Sequence, residues 1–414
     1  MFQASVSNPT APAIGTPDLV SRRTILALAL VCLIAGLKTA VDLYLQSTGP
    51  TGYQTTDIDT FWLVGRLYWE GRLADAYGAA TLFAAQSEML QTQSFMTYTY
   101  PPHYNFVTAT LGTVPVWLAY AVFVSGTLAF YFGALQKIAP GRLAFVFVMI
   151  FPALLVNIRT GQNGFLMAGI VALAAHGILG AGLRGGVALG LASLKPHVAI
   201  GIGAAALLTG RWRLAALAMA TGTAALGAAA LVFGTGPFTG MITASQEAME
   251  FLRAGAYPLH RMVSVYAFAR SFGASADMAM LVQGAAALII CGLLILLALR
   301  RADKTVIVAT ALVAPLFISP YAYDYDMALA GVALAIIAPC LLAKCRPQEA
   351  VALLGIFWVA TGWGIAMSFV ADPNGLHTPA ENLLSLLSIQ APLNVVLMLV
   401  IAHVLRRPSK EMRR

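Results

Sequence analysis

Polar and apolar positions along this chain separate into long blocks instead of alternating. Apolar runs cover approximately 24–44, 113–136, 143–157, 164–182, 185–194, 196–209, 214–235, 278–299, 305–319, 327–343, 350–370 and 389–405. Most are at or just below the roughly 20 residues an α-helix needs to cross a bilayer, so the pattern predicts about twelve crossings and an all-α polytopic membrane protein. Runs 185–194 and 196–209 are short for full crossings and meet at Lys195-Pro196-His197. Proline removes a backbone donor and interrupts a helix, and non-helical backbone at membrane depth needs protein or water around it. The pair is therefore expected to be a broken hairpin whose tip faces a cavity. The polar stretch 46–100 has room for two short helices but hardly for an independent core. Within it, Ile58, Phe61, Trp62, Val64, Leu67 and Tyr68 recur at helical spacing between Thr60, Gly65 and Arg66. That spacing predicts an amphipathic helix lying at the membrane interface, with Asp57 at its N-cap.

Composition agrees with this reading. Hydrophobic residues make up 59% of the 414 and charged residues 10%, with a mean hydropathy of +0.79, against roughly 45–50% apolar in soluble domains. Arg22-Arg23 followed by "TILALALVCLIAGL" superficially fits a signal peptide. No small-x-small site closes the run, however, and Lys38 and Asp42 stand where cleavage would occur, so a retained signal anchor is expected. Cys32, Cys291, Cys340 and Cys345 have no metal-ligand spacing and are expected to pack in the membrane core.

Charge orients the threading. With the N-terminus inside, cytoplasmic segments hold 17 of the 25 Lys and Arg against four acids, giving +13 there and −5 elsewhere out of the net +8, as the positive-inside rule requires. The basic balance is thus a property of topology, dispersed over helix ends, and not a nucleic-acid footprint. The expected organisation is a cytoplasmic tail at 1–23, a single membrane domain at 24–405 with extracytoplasmic loops at 46–100 and 236–262, and a basic cytoplasmic tail at 406–414.

The same threading sends the unusual polar residues to the extracytoplasmic side, where ionisable groups near the membrane tend to face an interior or a water-filled path. Asp57 either caps its helix or acts on a ligand, and Asp59 has the alternative of being a solvated loop acid. In "YTYPPHY", Pro101 and Pro102 fix a rigid non-helical entry that can place Tyr100 and His103 against a pocket. In "GQNG", Gly161 and Gly164 allow close backbone approach while Gln162 and Asn163 offer amide groups; a helix-capping turn is the alternative. Lys195, with His197 two residues on, needs an anionic partner, either an internal aspartate or a bound phosphate, and phosphate is the favoured reading. "SPYAYDYDMA" sets Tyr321, Tyr323 and Tyr325 as a candidate aromatic belt, but two carboxylates, Asp324 and Asp326, exceed what a belt needs. The six histidines show no HExxH or paired metal spacing, and there is no P-loop, no GxGxxG following a strand and no G-x-S-x-G. Nucleotide-driven chemistry in the cytoplasm is not expected.

Taken in order, Asp57 with "FWLVGRLYWEGRLADAYG", then "YPPHY", "FPALLVNIRTGQNGFL", "GLASLKPHVAI", "GRWR", "MVSVYAFARSFG" and "SPYAYDYDMAL" resemble glycosyltransferase family 87 over about residues 24–405. This is the polyprenyl-phosphate-mannose-dependent α-mannosyltransferase-like group of GT-C membrane enzymes. The resemblance implies a GT-C fold in a bacterial cytoplasmic (inner) membrane, with both termini cytoplasmic and the site extracytoplasmic. It implies a catalytic aspartate in the first extracytoplasmic loop, and aligning "GRLYWEG" places Asp57 there, not Asp59. The implied donor is a polyprenyl-phosphate sugar and the acceptor a lipid or glycan, with no cofactor and no metal site. On this basis Asp57 is the general base of an inverting transfer, and Lys195, helped by His197, Arg253 or Arg261, holds the donor phosphate. Asp59, Tyr100, His103, Gln162, Asn163, Tyr323 and Asp326 position sugar and acceptor. Mannose itself is inherited from the resemblance. A transporter or flippase of a lipid-linked saccharide is the competing class; the sequence offers one broken helix pair and no counterpart in the other half, and its polar motifs cluster on one side. A catalytically idle scaffold is a third, separated from the others by whether Asp57 matters.

Overall fold

The computed structural model describes residues 21–47, 55–91, 94–180, 182–371 and 387–407. The tails expected at 1–23 and 406–414 fall almost entirely outside these residues, as do parts of the 46–100 loop. Among the described residues the chain is helical without a strand, and Met262 and Tyr323 form an isolated antiparallel bridge.

Among the described residues, six helices are long and apolar enough to cross a membrane: Arg22–Gln46, Val116–Ile138, Trp212–Phe233, Ala276–Leu299, Asp324–Lys344 and Pro347–Val370. Gly164–Gly180, Gly185–Leu194, Pro196–Leu208, Lys304–Ile318 and Gln390–Leu405 are apolar but shorter. The expected run 143–157 is not one straight helix: Leu143–Met149 and Phe151–Thr160 meet at 71° and would make a seventh span if counted together. The break falls where Pro152, lacking an N–H, occupies the first turn of the second piece and disfavours helical backbone just before it. The chain does break at Lys195, whose φ of −138° separates the Ala192–Leu194 turn from Pro196–Leu208.

Gly164–Gly180 and Ala328–Lys344 form the interior, each buried over most of its length. They pack on each other, and the first also lies along Val116–Ile138. Buried Tyr131 ties these layers by donating to Ala328 O at 2.8 Å. Outer helices turn apolar side chains outward, with Leu231 90% and Leu299 76% exposed, as a lipid-facing surface does. Cys32 and Cys345 are half-buried and pack against the hydrophobic core, whereas Cys291 and Cys340 are exposed, which corrects the expected core packing for those two.

Two further expectations are revised. The apolar side of the Asp57–Trp69 helix packs on protein and is not left free for lipid: Ile58, Phe61, Leu63, Val64 and Leu67 are buried along with Asp57, Asp59 and Thr60. It packs against Asn105–Leu111, and a Cβ on Gly65 would sit 1.9 Å from Thr108 O, so glycine is what lets the backbones touch. The 236–262 loop is largely a helix, Gly236–Ala254, that lies on Leu73–Tyr77 and presents Gln246, Glu250 and Arg253 outward. Its polar composition keeps it out of any apolar run.

Candidate functional site

The helix that begins at Asp57 divides its two aspartates between different tasks. Thr56, not Asp57, is the N-cap, and Asp59 at the third position completes a capping box. Asp59 Oδ2 accepts from Thr56 N at 2.8 Å and from the Thr56 hydroxyl at 2.7 Å. The expected N-cap role of Asp57 is therefore corrected, since Asp59 supplies the capping carboxylate. Asp57 stands in the first helical turn, where the exposed N–H groups favour a negative charge. It is 8% exposed, and its Oδ1 accepts from Gln162 Nε2 at 2.6 Å. No described residue donates to Oδ2. Burial pushes the Asp57 carboxyl up to about 6, opposed by the positive charges of Arg261 and Lys195 and reinforced by Asp324.

Gln162 reaches Asp57 because the Phe151–Thr160 helix ends in a left-handed turn at Gly161, φ +61°, where a Cβ would lie 2.6 Å from Ile58 Cβ. Gly164 opens the next helix equally closely: a Cβ there would be 2.2 Å from Asn157 Oδ1 and 2.5 Å from Tyr325 O. Both glycines of "GQNG" are thus needed to bring the amide pair against the start of the Asp57–Trp69 helix. Gln162 Oε1 accepts from Tyr100 Oη at 2.9 Å and from Asn163 N at 2.8 Å. Tyr100 is held by a ring stack on Tyr104 at 4.3 Å and an edge contact with Phe61 at 5.3 Å. The Asn163 side chain and the Tyr104 hydroxyl are buried beside this group without a hydrogen bond.

Two ion pairs flank Asp57. Lys195 Nζ lies 2.5 Å from Asp326 Oδ1, and His197 Nε2 lies 3.7 Å from Asp326 Oδ2. Arg261 grips Asp324 with two bonds, Nη2 to Oδ1 at 3.0 Å and Nε to Oδ2 at 3.2 Å. Their loops are joined by the Met262–Tyr323 bridge and by Val263 N donating to Ala322 O at 2.8 Å. Lys195 also sits 4.5 Å from the centre of the Tyr325 ring, which stacks on Tyr323. The anionic partner that Lys195 needs is therefore present within the protein, Asp326, where the sequence reading favoured a phosphate.

Asp57, Tyr100, Gln162, Asn163, Lys195, His197, Arg261, Tyr323 and Asp326 come together in this way. Asp59 is spent on capping. His103 is buried behind the group and bonds Ser193 Oγ at 3.0 Å, tying the "YPPHY" turn to the 192–194 turn. Arg253 stays exposed at the end of the Gly236–Ala254 helix and does not join the cluster. Neighbouring His260 is pushed down to about 4 by burial and by Arg261, so it adds no cation. Asp324 carries a larger part than its sequence suggested, and its signal was the presence of two carboxylates in "YDYD". Gly364 had none: it lies in a long apolar run, yet a Cβ there would be 2.3 Å from Asp324 Oδ2 and 3.1 Å from Arg261 Cα. Among the described residues, no three His, Cys, Asp or Glu side chains gather as metal ligands would.

Among known proteins, the model of glycosyltransferase family 87 matches residues 98–320. No curated protein and no solved structure matches the chain. Tyr100, Gln162, Asn163, Lys195, His197 and Arg261 fall inside the matched segment; Asp57 precedes it and Tyr323, Asp324 and Asp326 follow it directly.

Proposed function

The chain belongs to glycosyltransferase family 87 and is a membrane glycosyltransferase, and from that premise we propose that it transfers a hexose, mannose in this reading, from a polyprenyl-phosphate donor to a lipid or glycan acceptor on the extracytoplasmic face, with inversion at the anomeric carbon. The observation that carries the proposal is Asp57: a buried carboxylate with one oxygen held by Gln162, the other left without a donor, and two cations close by, buried Lys195 and half-buried Arg261.

The chemistry follows from those placements. The acceptor hydroxyl approaches Oδ2 of Asp57, which takes its proton as the hydroxyl oxygen bonds to the anomeric carbon. The bond from that carbon to the phosphate oxygen breaks, and its electron pair leaves with the polyprenyl phosphate. Charge therefore grows on the phosphate as it departs, where fixed cations stabilise it most. Lys195 and Arg261 supply that charge, with the phosphate competing against Asp326 and Asp324 for them, and His197 stands next to Lys195. A carboxyl pushed up to about 6 is well matched to this work, being ionised at neutral pH yet more basic than a solvated aspartate. Asn163 and the Tyr104 hydroxyl offer further polar contacts for the sugar.

Donor class is tested with purified protein in nanodiscs given radiolabelled polyprenyl-phosphate mannose, glucose or arabinose, or GDP-mannose, with membrane lipids and glycans as acceptors. Label transferred from a lipid-phosphate sugar and not from the nucleotide is the expected result, and the preferred sugar identifies the hexose. Transfer from GDP-mannose alone would overturn the donor assignment.

A further inference from the structure

Gln162 is connected in a way that leaves its amide a single orientation. Asn163 N is an obligate donor and lies 2.8 Å from Oε1. The Tyr100 hydroxyl donates to the same oxygen at 2.9 Å. With Oε1 so engaged, the atom facing Asp57 Oδ1 at 2.6 Å has to be the Nε2 donor. Tyr100 cannot easily turn away. Its ring lies on Tyr104 and meets Phe61 and Tyr98 at 5.3 and 5.4 Å, and behind it Tyr98 Oη donates to Asn105 Oδ1 at 2.7 Å. Asn105 in turn donates to Tyr77 Oη at 3.0 Å. An ordered string therefore runs from a buried aromatic cluster through Gln162 to the carboxylate.

We infer that Gln162, oriented by Tyr100, is a positioning residue that fixes which oxygen of Asp57 receives the acceptor proton and how basic that oxygen is, and is not itself a contact to the sugar. This rests on the reading of Asp57 as the base. Because Nε2 must donate, Oδ1 stays an acceptor in both protonation states, and a proton taken during transfer can reside only on Oδ2. A hydrogen bond to the ionised form also holds the carboxylate down against its burial. The charged groups facing Asp57 are Arg261, Lys195 and Asp324. The phenols of Tyr100, Tyr104, Tyr323 and Tyr325 surround it. Gln162 is the group among these that donates to it directly.

The test is the pH dependence of kcat/KM for Gln162→Met and Tyr100→Phe in nanodiscs, beside the wild type and Asp57→Asn. Methionine keeps the length of glutamine and removes its donor. Losing one bond to a charged acceptor is expected to move the acid limb of Gln162→Met upward by about one pH unit. Tyr100→Phe should move it the same way by less, since Asn163 N still holds the amide. A merely structural or sugar-binding role would lower kcat/KM at every pH or raise KM for the donor while leaving the limb in place, and that outcome overturns the inference. Full activity in Asp57→Asn would instead remove the base assignment, a failure distinguishable from an unmoved limb. Tyr100→Phe also covers the case in which Gln162→Met does not fold, because the direction of its smaller shift is diagnostic alone.

Discussion

Lys195 and Asp326, 131 residues apart in sequence, form a salt bridge of 2.5 Å in which neither side chain is more than 7% exposed. Removing one partner of such a pair leaves an uncompensated buried charge, at a cost of about 3–5 kcal/mol, whereas replacing both with apolar residues is often neutral. Lys195→Met alone should therefore lower the thermal midpoint markedly, and Lys195→Met/Asp326→Leu should recover much of it. If Lys195 holds the donor phosphate, donor affinity is lost in both variants. A double variant that regained donor binding along with stability would restrict Lys195 to a structural role.

The division of labour between Asp57 and Asp59 can be separated by substitution. Asp59→Asn keeps an acceptor for Thr56 N and the Thr56 hydroxyl, so transfer should stay within a few fold of wild type. Asp59→Ala removes the cap at about 1 kcal/mol. Both effects are read from initial rates and thermal midpoints. A thousandfold loss of transfer in Asp59→Asn, with the fold intact, would move the base to Asp59.

Asp57 also predicts a trade between activity and stability. Its carboxyl is pushed up to about 6 in the folded protein, so folding stability from this group is fully present below the unfolded value near 3.9 and is lost as pH rises through about 6. At pH 7 the ionised, buried group costs up to about 3 kcal/mol. Asp57→Asn is expected to raise the thermal midpoint at pH 7.5, with the difference closing near pH 4. A midpoint lowered equally at both values would contradict the assigned environment.

Gly364 tests the second ion pair from behind. The space for its Cβ is occupied by Asp324 Oδ2 at 2.3 Å, so Gly364→Ala has to push the carboxylate off Arg261 or shift the Pro347–Ala371 helix. Transfer should fall at least tenfold, the order expected when a group binding the departing phosphate is displaced. Gly355→Ala on the same helix, where nothing lies within 4 Å, is the control and should be silent.

Much of this arrangement was readable before the structure because its signals are local. Apolar block lengths gave the helical membrane class, proline gave the break at Lys195, and "GQNG" gave two glycines beside two amides. Other features depend on partners that spacing does not encode. The helix from Asp57 has an amphipathic pattern that suits an interface, yet it is buried because Asn105–Leu111 covers its other side through the Gly65 contact. The cap fell one residue earlier than expected because Thr56 and Asp59 form a box. The partner of Lys195 lies 131 residues away and was indistinguishable, from sequence, from a bound phosphate. The helix at Gly236–Ala254 carries too many polar residues to register as an apolar run.

The most direct measurement is transfer of radiolabelled mannose from polyprenyl-phosphate mannose to membrane lipid and glycan acceptors by wild type and Asp57→Asn side by side, between pH 5 and 8. Wild-type transfer should fall as pH drops through about 6, where Asp57 takes up its proton. Asp57→Asn should lose at least about 100-fold at every pH, the lower range for removing a general base, while still binding the donor. Equal transfer by the two proteins, or a wild-type rate that rises as pH falls, would contradict Asp57 as the base.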